Sequence, residues 1–303
     1  MNATEAMQHC GIVAVVGAPN AGKSTLVNQL VGAKVSIVTH KVQTTRTRLR
    51  GIAIEGDSQI VFVDTPGIFT AKRRLERAMV QAAWASVEDA DIVLVIHDAG
   101  RKQISEETRQ VIDGLAKASS EIVLVLNKID LVKREKLLDL AAELSELGKF
   151  SKVFMISALN GDGLRDLKSY LAARMPEGPW LFPEDQLSDS SLRMLAAEIT
   201  REKLFLNLHQ ELPYALTVET ESWEDFKDGS ARVEQTVYVG RPQHKAMCLG
   251  KGGKTIRLVR QAAQKEMEEA FGQPVHLFLF VKVRENWIDD PERYRNLGLE
   301  FDA

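Results

Sequence analysis

Cysteine is scarce: Cys10 and Cys248 are the only two in 303 residues. They are too few and too far apart for a disulfide framework or a thiolate metal site, which excludes a stapled secreted scaffold and points to a reducing, cytoplasmic home. The six histidines are scattered without a ligand pair. No apolar run approaches the ~20 residues of a membrane-spanning helix, and residues 1–10 (MNATEAMQHC) lack the charged-then-apolar layout of a secretory signal. A positive excess is missing too. The 39 Lys and Arg stand against 42 Asp and Glu, for a net charge of −3, so the chain is no polycationic coat for nucleic acid, although a local basic surface stays open. What is present, 45% hydrophobic and 27% charged residues, is ordinary globular composition of about two domains' length.

Short β-branched runs at 12–16 (IVAVV), 60–63 (IVFV), 92–96 (IVLVI), 122–126 (IVLVL) and 153–156 (VFMI) alternate with longer segments, such as 104–117 and 133–147, that carry apolar residues at helical spacing. This predicts an α/β fold with a mostly parallel sheet covered by helices on both faces. Residues 48–54 read as an extra strand pairing with 59–63. The first domain is expected over 1–176, and a linker over 177–187, where Pro and Gly interrupt the pattern. The second domain is expected over 188–303. There the order is a helix at 188–208, strands at 214–220 and 231–239 around a polar loop, helices at 242–249 and 254–271, and a strand at 275–283, with the terminal residues as a tail. This order predicts an α+β domain. Residues 176–230 hold twelve acidic and four basic side chains, whereas 241–260 hold six basic and no acidic ones.

Three loops at strand ends carry the chemistry. Gly17-Ala18-Pro19-Asn20-Ala21-Gly22-Lys23-Ser24 has the G-x-x-x-x-G-K-S/T pattern between a strand and a helix, the context of a P-loop. Its backbone N–H groups, with Thr25 in the first helical turn, would cradle phosphates at the positive end of the helix. Lys23 would reach the β- and γ-phosphates and Ser24 would hold Mg²⁺. Asp64-Thr65-Pro66-Gly67 follows the 60–63 strand as a second switch segment, with Asp64 toward the metal and the Gly67 N–H toward a γ-phosphate. Asn127-Lys128-Ile129-Asp130 closes the 122–126 strand. An ionised carboxylate only accepts hydrogen bonds, so Asp130 suits guanine, which offers N1–H and a 2-amino group, and not adenine. Lys128 would lie over the base, Asn127 would tie this loop to the P-loop, and Ser157-Ala158 would offer a backbone N–H to guanine O6. GTP and GDP are the expected nucleotides, and an ATPase is the weaker reading.

In the second half, Gly250-Lys251-Gly252-Gly253 is a G-x-x-G turn opening a basic helix that carries Lys254 and Arg257. Such a turn between helices, with a hairpin before it and a strand after, is similar to a type II KH domain, whose G-x-x-G loop clamps the backbone of single-stranded RNA. Ile256, Val259, Ala262, Ala263 and Met267 are expected in its core.

Together with 43–46 (QTTR), 182–185 (FPED), 188–191 (SDSS), 201–203 (REK) and 211–214 (ELPY), these motifs resemble the Era family of bacterial GTPases over residues 10–300. The resemblance implies slow hydrolysis of GTP, RNA binding at the 3′ end of 16S ribosomal RNA, and a role in small-subunit assembly. It also implies a monomer, with a peripheral place on the inner face of the cell membrane as a further expectation. In the family either Thr44 or Thr45 supplies the switch I contact to Mg²⁺, and spacing does not separate them, with Thr45 preferred. Asn20 resembles an asparagine that binds K⁺ in related enzymes. Ile68 occupies the position where Ras-like enzymes orient the attacking water with glutamine, a task its side chain cannot perform. Binding of GTP is expected to order 33–47 and 64–75 and reposition the second domain across the linker. The alternative is an RNA-binding scaffold that senses GTP and GDP without hydrolysis.

Overall fold

The computed structural model describes residues 7–41, 44–208, 212–285, 287 and 290–303. Gln43 and Glu211, two of the motif positions above, lie outside these, as do residues 1–6. The chain divides into two compact units: Met1–Ser36, Thr45–Asp189 and Leu297–Ala303 form the first, Ile37–Thr44 and Ser190–Asn296 the second.

The first unit contains, in order, β1 (His9–Gly17), α1 (Lys23–Val31), β2 (Leu49–Glu55), β3 (Ser58–Asp64), α2 (Arg74–Glu88), β4 (Ile92–Asp98), α3 (Glu106–Gly114), β5 (Glu121–Asn127), α4 (Arg134–Leu147), β6 (Lys152–Met155) and α5 (Leu164–Ala172). The sheet order is β2-β3-β1-β4-β5-β6. Every pairing is parallel except β2 with β3. Because side chains alternate along a strand, the apolar runs bury both faces. Val13, Val15, Leu94, Val123 and Val125 join Leu26, Val27 and Leu30 of α1 and Leu167 and Leu171 of α5. Ala14, Val16, Val93, Val95, Leu124 and Leu126 face the other way, onto Ala83 and Val87 of α2, Val111 of α3 and Leu137 and Leu144 of α4. The parallel strands therefore point their C-terminal ends to one edge, where open α/β sheets carry their loops. Helices α2 and α5 are additions to the elements read from sequence.

Two boundaries differ from the sequence reading. The proline-rich stretch 177–187, expected as the linker, is held on the sheet of the first unit. Gln59, fully buried in β3, accepts from Leu181 N (2.9 Å) and Phe182 N (3.0 Å) and donates to the Phe182 carbonyl (2.8 Å). Farther along, Ile52 N donates to the Leu187 carbonyl at 2.9 Å. The C-terminal residues Leu297–Ala303, expected with the second domain, belong to the first unit. They lie against one face of α2: Arg74 stacks on the Phe301 ring at 4.4 Å, Arg77 Nε donates to the Ala303 carbonyl, and Gln81 Nε2 donates to Glu300. Residues 74, 77 and 81 share a face by helical spacing.

The second unit contains α6 (Leu192–Asn207), β7 (Leu216–Asp225), β8 (Ala231–Val239), α7 (Pro242–Leu249), α8 (Lys254–Phe271), β9 (Val275–Val283) and α9 (Pro291–Asn296). Its three-stranded sheet runs β7-β8-β9, antiparallel then parallel. Strand β7 extends into the segment expected as a polar loop, because a bulge between Thr220 and Ser222 restores its register against β8. Val259, Ala263 and Met267 form one buried stripe of α8 at four-residue spacing, with Ile256 partly buried beside it. Ala262 is exposed, contrary to the core expectation, since it falls one step off that stripe. Cys10 and Cys248 are both buried and free. Among the described residues no helix is long and apolar enough to cross a membrane.

One buried group gives the fold a measurable pH dependence. His97 in β4 is 1% exposed, its Nδ1 meets Thr108 Oγ1 at 3.3 Å, and Nε2 has no partner among the described residues. Burial pushes its pKa down to about 4 from 6.5. The unfolded chain takes up this proton below 6.5 while the folded chain resists it, so stability is complete above that pH and declines toward 4. Urea unfolding of the first unit should lose about 2 kcal/mol between pH 7 and 5 from this group. The His97→Gln variant should show a correspondingly shallower decline, whereas an identical pH slope would place the effect elsewhere.

Candidate functional site

The P-loop leaves β1 and curls into α1. Gly22 and Asn20 adopt left-handed backbone, with φ of 96° and 64°. At Gly22 a side chain would run into the Asn127 amide, so this glycine is demanded by both conformation and space. Lys23 is buried, and its Nζ donates to the Gly17 and Ala18 carbonyls at 3.1 Å each. Burial pushes its pKa down to about 8, Asp64 pulls it back up, and the Arg101 charge lowers it further. A phosphate chain arriving here would meet a lysine already placed against the loop and would further favour its charged form.

The metal-side donors converge. Ser24 Oγ donates to Asp64 Oδ2 at 2.7 Å, Thr45 Oγ1 reaches the same oxygen at 3.3 Å, and the two hydroxyls stand 2.9 Å apart. Asp64 is fully buried, its Oδ1 has no partner among the described residues, and desolvation raises its pKa. A buried carboxylate with an unused oxygen beside two hydroxyls is a hard-oxygen set that fits Mg²⁺. Ser24, Thr45 and Asp64 would hold it, and it would supply charge neutralisation on the phosphates.

The adjacent threonines are now separated. Thr44 Oγ1 bonds Thr39 Oγ1 and donates to the Lys41 carbonyl. Its segment, Ile37–Thr44, clusters with the second unit along α6. There Val38 N donates to Glu202 Oε1 at 2.7 Å, Arg201 donates to the Thr44 carbonyl, and Lys41 donates to the Phe205 and Leu208 carbonyls. Thr45, and not Thr44, therefore stands with Ser24 and Asp64, the other residues expected at the metal. Thr65, grouped with the switch by sequence, instead braces the strand end, donating to the Val15 carbonyl at 2.7 Å. Gly67 lies against Pro19 of the P-loop, and Pro66 and Ile68 beside it are buried.

On the base side, Asn127 Nδ2 donates to the Ala21 carbonyl at 2.9 Å, the tie expected from the sequence. Lys128 takes a left-handed φ of 65°, which a non-glycine residue adopts rarely and mostly where function holds it. Its Nζ reaches the Asn20 carbonyl at 2.8 Å and Asp98 Oδ2 at 2.7 Å. The stem is thereby stretched along the place a base would occupy. Asp130 is exposed, and its Oδ1 accepts from Ser157 Oγ at 2.6 Å. The backbone groups expected to face O6 have partners within the protein. Ser157 N donates to the Asp162 carbonyl and Ala158 N to Asn127 Oδ1. The next donor, the exposed Leu159 N–H, has no partner among the described residues.

In the second unit α7 and α8 meet at the G-x-x-G turn. Gly250, Gly252 and Gly253 all have positive φ. Lys251, Lys254 and Arg257 are exposed and make no ion pair among the described residues. Met247 and Leu258 add exposed apolar surface on the same two helices, at 53% and 49%. Helical spacing alone put no residue of α7 in this role.

A family described as 50S ribosome-binding GTPase matches residues 12–128, and the KH domain family matches 211–288. The GTPase Era of Rhizobium meliloti (strain 1021) is 60% identical over 291 residues, 96% of this chain and 93% of the relative. The chain belongs to the Era family of GTPases. Among solved structures, Era in complex with MgGDPNP and nucleotides 1506–1542 of 16S ribosomal RNA superposes with a TM-score of 0.90 at 35% identity, over 96% of this chain and 99% of that one. An Aquifex aeolicus Era variant bound to GDP·AlF4⁻ matches equally, at 0.90 and 35%, with the same coverage.

As an Era GTPase, the chain joins a P-loop nucleotide domain to a KH domain and hydrolyses GTP. Sequence reading singled out neither Asp98, which holds the Lys128 ammonium, nor Leu159, whose N–H is uncommitted. The first could have been found by asking which polar residues close the other parallel strands, since Asp98 ends β4 as Asn127 ends β5. The second offers only an uncommitted backbone N–H and leaves no side-chain signal. The division of labour between the threonines is open to test. Thr45→Ala should weaken Mg²⁺-dependent GTP hydrolysis about 10- to 100-fold, the worth of one hydrogen bond to a charged group. Thr44→Ala should stay within about twofold; equal losses in steady-state turnover would show that both hydroxyls serve the metal.

Proposed function

We propose that this Era-family chain is a slow GTP-hydrolysing switch that binds single-stranded ribosomal RNA, at the 3′ end of the 16S molecule, during small-subunit assembly. GTP with Mg²⁺ at Ser24, Thr45 and Asp64 reorganises residues 33–47 and 64–75, and hydrolysis releases them, so that RNA affinity follows the nucleotide state. Slow turnover follows from Ile68, which offers no hydrogen bond to the attacking water. The observation that carries the RNA reading is the G-x-x-G turn with three exposed, unneutralised cations opening α8, in a chain whose other unit holds a guanine-nucleotide site. The relative crystallised with nucleotides 1506–1542 of 16S ribosomal RNA, alike over nearly the whole chain, supports the choice of RNA.

Each cation set on the phosphate backbone of a single strand contributes about 0.7 to the slope of log K against log salt. The Lys251→Ala, Lys254→Ala double variant should therefore bind a 16S 3′-terminal oligoribonucleotide more weakly at low salt and lose about 1.4 of that slope. Fluorescence anisotropy over a salt series reads both quantities. Unchanged affinity and slope would assign the turn to helix packing alone.

A further inference from the structure

The active site of this GTPase lacks the glutamine that orients the attacking water in Ras-like enzymes, and a cationic side chain from another loop reaches its P-loop. The loop leaving β4 is fixed by its own turn: Gly100 N donates to Asp98 Oδ1 at 2.9 Å and Arg101 N to the Asp98 carbonyl at 3.2 Å. From this turn the Arg101 side chain crosses to the P-loop and donates from Nη2 to the Pro19 carbonyl at 2.9 Å. Pro19 is the residue that Gly67 approaches, since a Cβ at Gly67 would come within 3.0 Å of Pro19 Cα, Cγ and N. The guanidinium thus reaches the P-loop at the residue against which Gly67 also packs, while Lys128 reaches the next carbonyl, Asn20. Its charge is felt by Lys23. No carboxylate pairs with it within 4 Å among the described residues, and a guanidinium carries five donors, of which one is committed here.

We infer that Arg101 is an arginine supplied in cis to the γ-phosphate, stabilising the charge that builds there as GTP is hydrolysed. Water oxygen bonds to the γ-phosphorus and the bond to the β,γ-bridging oxygen breaks. The electron pair leaves on GDP, and the proton lost by water ends on the released phosphate or in solvent. Arg101 stays protonated throughout. It donates to phosphate oxygens as negative charge moves onto the leaving group, an electrostatic role that needs no base. An Ile at position 68 is then tolerable, because stabilisation comes from the β4 loop and not from water orientation. This inference rests on hydrolysis at the P-loop site.

The test uses the full chain and three proteins: wild type, Arg101→Met and Arg101→Lys. Single-turnover hydrolysis of GTP, affinity for fluorescent GDP, and affinity for GDP with aluminium fluoride are measured in each, with the melting temperature. Arg101→Met should slow hydrolysis about 10- to 1000-fold, toward the low side of what an arginine finger contributes. It should lose aluminium-fluoride-dependent binding by a similar factor, while GDP affinity and melting temperature stay unchanged. Arg101→Lys should recover part of both losses by restoring the charge without the fork. Wild-type hydrolysis in Arg101→Met would overturn the inference. So would a loss of GDP affinity and melting temperature in step with the rate, because it would reduce Arg101 to a brace for Pro19. Absence of hydrolysis in the wild-type chain itself would contradict the function as well.

Discussion

A single side chain holds the nucleotide site in register. Asn127, buried at the C-terminal end of β5, donates through Nδ2 to the Ala21 carbonyl and accepts through Oδ1 from its neighbour Lys128 N and from Ala158 N. One amide thereby joins the phosphate loop, 106 residues earlier in the chain, the base-reading loop, and the loop after β6, 31 residues later. An amide can do this because it donates and accepts at once; a carboxylate or an aliphatic group would leave one of the three loops unheld. The price is steric, and Gly22 meets it, since no other residue leaves room for the amide.

Around this centre the charges are arranged before any ligand arrives. Asp98 fixes the Lys128 ammonium at 2.7 Å and fixes the turn that carries Arg101. Asp64 and Lys23 are both buried, and each is pushed toward its neutral form by desolvation while the opposite charge of the other resists that push. A triphosphate and a divalent cation reverse that burden, because each brings the counter-charge the buried group lacks. The site therefore binds by relieving costs already built into the fold, which is what preorganisation means in electrostatic terms.

Much of this was legible beforehand because it follows from periodicity and strand ends. The five β-branched runs became parallel strands, the antiparallel strand at 48–54 was recognisable from the turn after it, and the P-loop, DTPG and NKID segments fell at the expected strand ends. What escaped has a physical reason in each case. Helix α2 shows its stripe mainly through alanines, a weak apolar signal. The fate of 177–187 depends on one buried glutamine in β3, whose partners are backbone groups invisible to side-chain patterns. The docking of 297–303 depends on pairing Arg74, Arg77 and Gln81 along α2 with Phe301, the Ala303 carbonyl and Glu300 of the tail, a match no periodicity announces. Thr44 and Thr45 are chemically identical in sequence and differ only in which neighbours the backbone gives them.

The second unit follows a different logic, with a half-covered three-stranded sheet and a glycine turn that exposes backbone and cations where a nucleic-acid strand can lie. Its reading depends on the first unit being a guanine-nucleotide site, since a switch without a specific input regulates nothing. That claim reduces to Asp130 accepting from groups that guanine has and adenine lacks. Isothermal titration of the wild-type chain with GTP and with ATP, in Mg²⁺, tests it most directly. The account predicts that GTP binds at least about 100-fold more tightly, as expected where a mismatched base leaves a carboxylate unpaired; equal affinities would contradict it.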